Sequence, residues 1–451
     1  MFLLILALAP PASACGGFFC SAAAPIDQAA EEIVFAMDED EGIVEMHIDI
    51  SYEGRSEDFA WILPVPEEPE LFVSSTLMFN ALSAATVPTF TLTYREDGRC
   101  SQPSRSSWGC ATEYSIASPN VQGIANPGGV DVVDTERIGP YDTVTLRADS
   151  TTELMSWLVD NEYDLPQDLE PLLTQYIAED SHFVAMRMAA GTAIGDIEPI
   201  GLRYAADALA IPIQLTAVAA ADDMPLRVYV LGRHRAVPES YLHVQINEAA
   251  VDWRTGGGNY ADILGEAIDE AGGLAFVTEY AGTSENVIAS ADSILADLIA
   301  DFPYLTRLTT ELSAGEMSLD PTFVFNRDLP DVAKDHVAER VMDCDTEDNL
   351  QHIELSDGRF IYLGGNPNLG NPSDGLLEDL QDIPALVVED TSDPEKPVVI
   401  ADFWDDALDA LDQHSRPYEP KGQCSCATTV PMPLSMAYLW LLVVFVRRRR
   451  H

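Results

Sequence analysis

Positive charge is what this chain has least of. Its 24 Lys and Arg stand against 75 Asp and Glu, a formal net charge of −51. Four of the basic residues form the terminal block Arg447, Arg448, Arg449 and Arg450. A surface of that sign repels phosphate backbones and anionic headgroups, which argues against nucleic acid as a partner. The acids are spread along the chain rather than clustered, so they read as a generally solvated surface. Weak binding of divalent cations and attraction to a basic partner are the competing readings.

The short signatures of catalysis and cofactor binding are also missing. There is no GxSxG elbow, no HExxH and no phosphate loop. No CxxC pair is followed by a second pair or by paired histidines, which argues against a structural zinc site. Gly256-Gly257-Gly258 lacks the GxGxxG or Walker context and reads as a turn before a helix. The eight histidines are scattered. His47 falls in an alternating strand and is expected at the surface. His182 borders a helix end, and His234 and His243 flank a turn near Asp222 and Asp223. Carboxylates are too abundant for an acid/base pair to stand out.

Both ends of the chain, in contrast, are informative. MFLLILALA at Met1 to Ala9, followed by Ala12-Ser13-Ala14, fits an export signal with a mature start at Cys15. A lipid on Cys15 ranks second. Residues 427–446 carry no charge, and about 20 helical residues rise about 30 Å, enough to span a hydrocarbon core. Pro431 and Pro433 restrict the good helix to the residues after them. The arginines come next, as at the cytoplasmic end of a span. A transmembrane segment, with the membrane as partner through residues 427–446, is therefore expected.

A Cys motif, an apolar segment and terminal arginines in that order resemble the MYXO-CTERM sorting tails. The signature cysteine would be Cys424 or Cys426, and the resemblance implies export machinery and a sorting protease as partners. The alternative is a retained single-span anchor.

Export permits disulfides. Of seven cysteines, Cys15 with Cys20 and Cys100 with Cys110 each close a short loop and are the expected pairs. Cys344 is left over. Two acidic loops have carboxylates at spacings that suit calcium: Asp38 to Glu41, and Asp343, Asp345, Glu347 and Asp348. Asp343 and Asp345 are the candidate ligands, although neither loop has EF-hand spacing.

Between the ends, apolar patterning places strands at 33–35, 42–52, 59–65, 90–94, 142–147, 183–188, 202–204, 211–218, 227–231, 274–280 and 320–325. Helices are expected at 77–86, from Ser150-Thr151-Thr152-Glu153 to about Asn161, at 166–178, 260–271, 290–300 and 305–313. Trp61 and Trp157 are expected in the core. The fold class is then α+β, mainly antiparallel sheets or a sandwich with inserted helices, plus the C-terminal transmembrane segment. The expected organisation is a signal at 1–14, a β-rich domain at 15–150, an α+β domain at 151–344, an acidic region and spacer at 345–423, and the tail at 424–451.

CGGFFC at Cys15 to Cys20, DFAWILPVP at Asp58 to Pro66, the block from Leu154 to Met188 and the block from Ile211 to Gly232 resemble the bacterial family called domain of unknown function 2330. That resemblance implies an exported envelope protein and supplies no catalytic residues. The expected function is a non-catalytic envelope protein anchored or surface-sorted by its tail. An exported hydrolase with a carboxylate acid/base site, or a ligand- or partner-binding module, are the alternatives.

Overall fold

The computed structural model describes residues 27–53, 60–98, 131–161, 163, 165, 169–189, 197–218, 220–289, 292–343, 351–356, 360–362 and 386–388. The first part runs β1 (Asp27–Asp38), β2 (Ile43–Glu53), β3 (Ala60–Val65), β4 (Glu70–Val73), α1 (Thr76–Thr86), β5 (Thr89–Asp97), β6 (Asp131–Ile138), β7 (Tyr141–Arg147), α2 (Thr151–Asp160), α3 (Leu169–Ala178) and β8 (His182–Met188). Next come β9 (Ile200–Ala205), β10 (Leu209–Ala210), α4 (Ile213–Thr216), β11 (Met224–Gly232), β12 (Arg235–Pro238), β13 (Leu242–Ile246), α5 (Tyr260–Glu270) and β14 (Ala275–Thr283). The chain continues with α6 (Ser293–Asp301), β15 (Tyr304–Leu312), β16 (Thr322–Asn326), β17 (Asp335–Asp343), β18 (Gln351–Glu354), β19 (Phe360–Tyr362) and β20 (Leu386–Val388).

Among the described residues the strands form four sheets. The largest has nine strands in the order β20-β13-β14-β15-β11-β1-β2-β9-β4. A four-stranded sheet, β3-β8-β7-β6, packs on one of its faces. The others are β10-β16-β12 and β19-β18-β17-β5.

Local chemistry explains the hairpin on which this arrangement turns. At the β1–β2 turn, Asp38 Oδ1 accepts the backbone N–H groups of Asp40 at 2.9 Å and Glu41 at 3.2 Å. Gly42 then takes φ +64°, a left-handed conformation that suits glycine. The hairpin extends into two long central strands. Ile33, Val34, Phe35 and Ala36 are all buried, and successive strand residues point to opposite faces, so both faces of β1 are covered.

On one face, Met46 and Ile48 of β2 share a core with Trp61 and Leu63 of β3 and Met186 of β8. On the other, Val34 and Ala36 pack with Phe79 and Leu82 of α1 and Leu295 and Leu298 of α6. Helices α2 and α3 cover the far side of the four-stranded sheet, with Trp157, Leu158 and Leu173 against Ile62 and Phe183. The order of layers is helices, sheet, sheet, helices. Each fully buried aliphatic or Phe side chain contributes about 1.5–3 kcal/mol, so the two inner faces dominate stability.

Several sequence expectations hold. Ser150 caps α2 by accepting Glu153 N–H at 3.3 Å, while its hydroxyl donates to the Glu153 carboxylate at 3.0 Å. Both Trp61 and Trp157 are buried.

Others need correcting. Residues 305–313, expected as a helix, form β15. Leu305, Arg307, Thr309 and Glu311 face one way and Thr306, Leu308, Thr310 and Leu312 the other. Seven of the nine residues of β15 are buried, so polar alternation is lost and only the β-branched threonines betray the strand. Residues 211–218, expected as a strand, hold the single helical turn α4.

The sheets are mixed: most strand pairs among the described residues are antiparallel, as expected, but β1 pairs with β11, β13 with β14, and β5 with β17 in parallel. The β13–α5–β14 connection is a crossover unit, in which a helix carries the chain back to a parallel neighbour.

The transmembrane expectation is corrected as well. Among the described residues no helix is long and apolar enough to cross a membrane. The longest, α1 and α5, have 11 residues each, a rise of about 16 Å where about 30 Å is needed. Residues 427–446, where the span is expected, lie outside the described residues. A membrane-anchored or surface-sorted protein, with the membrane and a sorting protease as partners, therefore has no support in this fold.

Candidate functional site

The turn after α3 positions one wall of a cleft of about 650 Å3. Asp180 ends the helix at φ +61°, and its N–H and that of Ser181 return to the carbonyls of Ile177 and Tyr176. Arg147 of β7 clamps the turn by donating to both Asp180 carboxylate oxygens at 2.6 Å. Glu179 and Ser181 are thereby held at the cleft, beside Tyr176. Leu63-Pro64-Val65-Pro66, at the end of β3, makes the opposite wall. Ala205, Ala206, Ala208 and Ala210 supply small side chains, which leave the space open.

At the inner end lies Asp320, ahead of β16. Tyr176 Oη donates to its Oδ2 at 2.7 Å and Gln214 N–H to its Oδ1 at 3.0 Å. Burial raises the Asp320 carboxyl above its ordinary value, with the Glu179 charge adding to it; the Tyr176 and Gln214 bonds pull the other way. Each carboxylate oxygen keeps acceptor capacity after one bond.

Glu41, Glu67, Glu179 and Asp207 complete the acidic set, while the residues lining the cleft include no Lys, Arg or His. An apolar trough carrying several unneutralised carboxylates and two tyrosines is suited to a ligand with an apolar body and a positive charge.

A second groove, of about 850 Å3, lies across the hairpin, between the β1–β2–β9–β4 edge and α6. Its acids are partly neutralised. Arg233 donates to Asp40 at 2.5 Å and lies 3.7 Å from Asp38, and Arg203 is 4.0 Å from Glu45. In the Asp38–Glu41 loop, whose spacing suits calcium, Asp38 and Asp40 thus use their carboxylates on Arg233 and, for Asp38, on the loop's own backbone.

Behind Glu45 and Phe72 of this groove's wall, His47 is wholly buried rather than at the surface. Its Nδ1 lies 2.8 Å from Ser74 Oγ and its Nε2 lies 3.2 Å from Glu45 Oε1. Phe72 packs edge-on against the ring at 5.5 Å. Alternation alone puts His47 on a solvated face; the structure covers that face with α1 and α6.

The remaining sequence-derived site residues are not brought together. Cys15, Cys20, Cys100, Cys110, Cys344, Cys424 and Cys426 all lie outside the described residues, as do Arg447 to Arg450. No disulfide occurs among the described residues, so the expected staples are no part of the described fold. Asp343 ends β17, whereas Asp345 lies outside. His243 is buried in β13, while Asp223 accepts from Ser313 Oγ at 2.8 Å. No group of three or more His, Cys, Asp or Glu able to hold a metal is present among the described residues.

Tyr176, Asp320 and Ser74 carry no signal in the sequence. Tyr176 is one member of a helical apolar stripe, and its partner is 144 residues away.

No curated protein and no solved structure matches the chain. The family comparison matches residues 9–324 and does not reach 424–451, so the likeness of the tail to sorting signals gains nothing from it. The match spans well over half of the 451 residues, and the chain belongs to the family described as "Uncharacterized protein conserved in bacteria (DUF2330)".

Proposed function

We propose that the protein binds a cationic, partly apolar ligand, such as an organic amine or a basic peptide segment, in the cleft between β3, α3 and Asp320. The observation that carries this reading is the lining itself: five carboxylates, two tyrosines and an apolar floor, with no basic side chain. A ligand ammonium or guanidinium would replace the missing countercharge at Asp320 and Glu179. Its apolar part would lie along Leu63 to Pro66. The reading includes export, since Met1 to Ala14 has the pattern of a signal, and puts the cleft to work outside the cytoplasm.

Calorimetric titration with a short peptide alternating Leu and Lys tests the proposal. The expected result is one site per chain, weakened at least tenfold by Asp320→Asn and by Glu179→Gln. A chain this acidic attracts cations everywhere. The control is therefore Glu285→Gln, an exposed change outside the cleft, which should leave affinity unchanged. Equal effects of all three substitutions would overturn the proposal.

A further inference from the structure

The cleft between β3, α3 and Asp320 is bordered by backbone as well as by side chains. β10 is the outer strand of its sheet, with no strand beyond it among the described residues. Ile211 N–H donates to Pro321 O at 3.1 Å, so Ile211 faces β16. Its neighbour Ala210 stands opposite Thr322, whose carbonyl is turned the other way and accepts Glu239 N–H at 2.8 Å. Bonded and non-bonded pairs alternate along an antiparallel ladder, so the N–H and C=O of Ala210 point away from β16. Ala208 and Ala210 are exposed and line the cleft.

The end of β9 repeats the pattern. Ala206 N–H donates to Gly42 O at 3.0 Å, which turns the N–H and C=O of Ala205 away from β2. They turn toward the side of β4, whose first paired residue, Glu70, lies opposite Arg203. Ala205 therefore extends past β4, and it too is exposed and lines the cleft.

A short edge strand is an ordinary protection against unwanted pairing. Two features go further. The facing wall is also an edge strand, β3, and there Pro64 has no N–H to offer and Pro66 follows at once, so that edge is blunted. The edge of β10 has no such guard, and its alanines let a second backbone approach. Charge and shape agree with this. An extended segment projects alternate side chains to opposite sides. The cleft offers Leu63 to Pro66 on one wall and Glu179 on the other, with Asp320 at the inner end.

We infer that the ligand is an extended peptide segment, alternating apolar and basic residues, that adds to the free edge of β10 as a further strand. The inference rests on the cationic-ligand reading above and narrows it from amines in general to a polypeptide main chain. Main-chain hydrogen bonds at Ala210 supply affinity, and the alternating side chains supply specificity.

Calorimetry on the full-length protein compares the alternating Leu–Lys peptide, two forms of it with an ester in place of the amide N–H at every Leu or at every Lys, and octylamine. An added strand turns only alternate N–H groups to its neighbour. One ester form should therefore bind at least tenfold more weakly than the parent, and the other less than twofold. Ala210→Pro removes an N–H that β16 does not use, so the fold should persist by circular dichroism while the parent peptide binds at least tenfold more weakly. If that variant misfolds, the two ester forms on the wild type still decide. Equal affinities of the two ester forms, or undiminished peptide binding by folded Ala210→Pro, overturn the inference. The cationic reading survives either result if Asp320→Asn still weakens the peptide. Binding of octylamine without the peptide also overturns the inference alone, and binding of neither overturns both.

Discussion

The Tyr176 hydroxyl donates to Asp320 Oδ2 at 2.7 Å, tying the end of α3 to the residue that introduces β16. This bond favours the ionised carboxylate, against the burial and the Glu179 charge that raise Asp320 above its ordinary 3.8. Removing it in Tyr176→Phe should raise Asp320 further. Binding of the cationic probe, which needs the carboxylate, should then fall off at a higher pH in the variant than in the wild type. Calorimetric affinity measured across a pH series checks the displacement. Urea unfolding should show a loss of about 1.5–3 kcal/mol, the usual size for a hydrogen bond to a charged group.

Asp49 offers a separate pH test. It stands opposite Glu32 in the β1–β2 ladder, and Glu32 is paired with Arg227. Burial first, and the Glu32 charge second, push the Asp49 carboxyl up to about 6 from 3.8. The folded value is raised, so the contribution to stability is fully present below the unfolded value and is lost as pH rises through about 6. Asp49→Asn should therefore stabilise the protein at about pH 8 by roughly 2 kcal/mol after allowance for solvent screening, and leave it nearly unchanged at about pH 4. Denaturant midpoints at the two pH values give the sign directly.

Local features of this fold are legible in the sequence, and long-range ones are not. The Ser150–Glu153 cap, the alternation of β2 and the helical stripe of α3 each depend on residues a few positions apart, so propensity and periodicity reveal them. The parallel pairing of β1 with β11 joins Glu31 to Leu226, and that of β5 with β17 joins Thr89 to Asp335. No local pattern encodes such partners. β15 reads as a helix because burial on both faces erases the alternation that marks a strand. His47 is misplaced for a related reason: a polar residue in an alternating strand looks solvated unless its cover is known. The cleft is illegible because its chemistry depends on Tyr176 and Asp320 meeting across the chain.

Gly256-Gly257-Gly258 is legible as a turn, but its packing is not. Gly257 has φ +79°, and a Cβ there would lie 2.4 Å from Phe90 Cδ2. Phe90 cannot easily withdraw, since it stacks on His336 at 4.8 Å and meets Trp253 edge-on at 5.6 Å. Gly257→Ala therefore combines backbone strain with a clash in a packed aromatic cluster. A loss of about 2–4 kcal/mol is expected, above the usual loss for a left-handed glycine alone. A methyl group at Gly315 would meet nothing within 4 Å, and that position serves as the contrast. Gly315→Ala should change the thermal midpoint far less.

The sharpest stability test lies between β14 and β15. Arg307 Nε donates to Glu279 Oε2 at 2.6 Å, and Tyr260 Oη donates to Glu279 Oε1 at 2.7 Å. Thr309 Oγ1 also donates to Glu279, and the Arg307 guanidinium lies 5.8 Å from the centre of the Tyr229 ring. Both charged side chains are almost fully buried, at 2 % and 4 % exposure. Removing one partner leaves an uncompensated charge in a poor solvent for it. Glu279→Leu alone, or Arg307→Leu alone, should cost about 3–5 kcal/mol, whereas replacing both should cost much less than the sum. The single Glu279 change also strips Tyr260 and Thr309 of an acceptor, so it should be the worse of the two. A double-mutant cycle in urea, with all four proteins at one pH, checks both the coupling and that ranking.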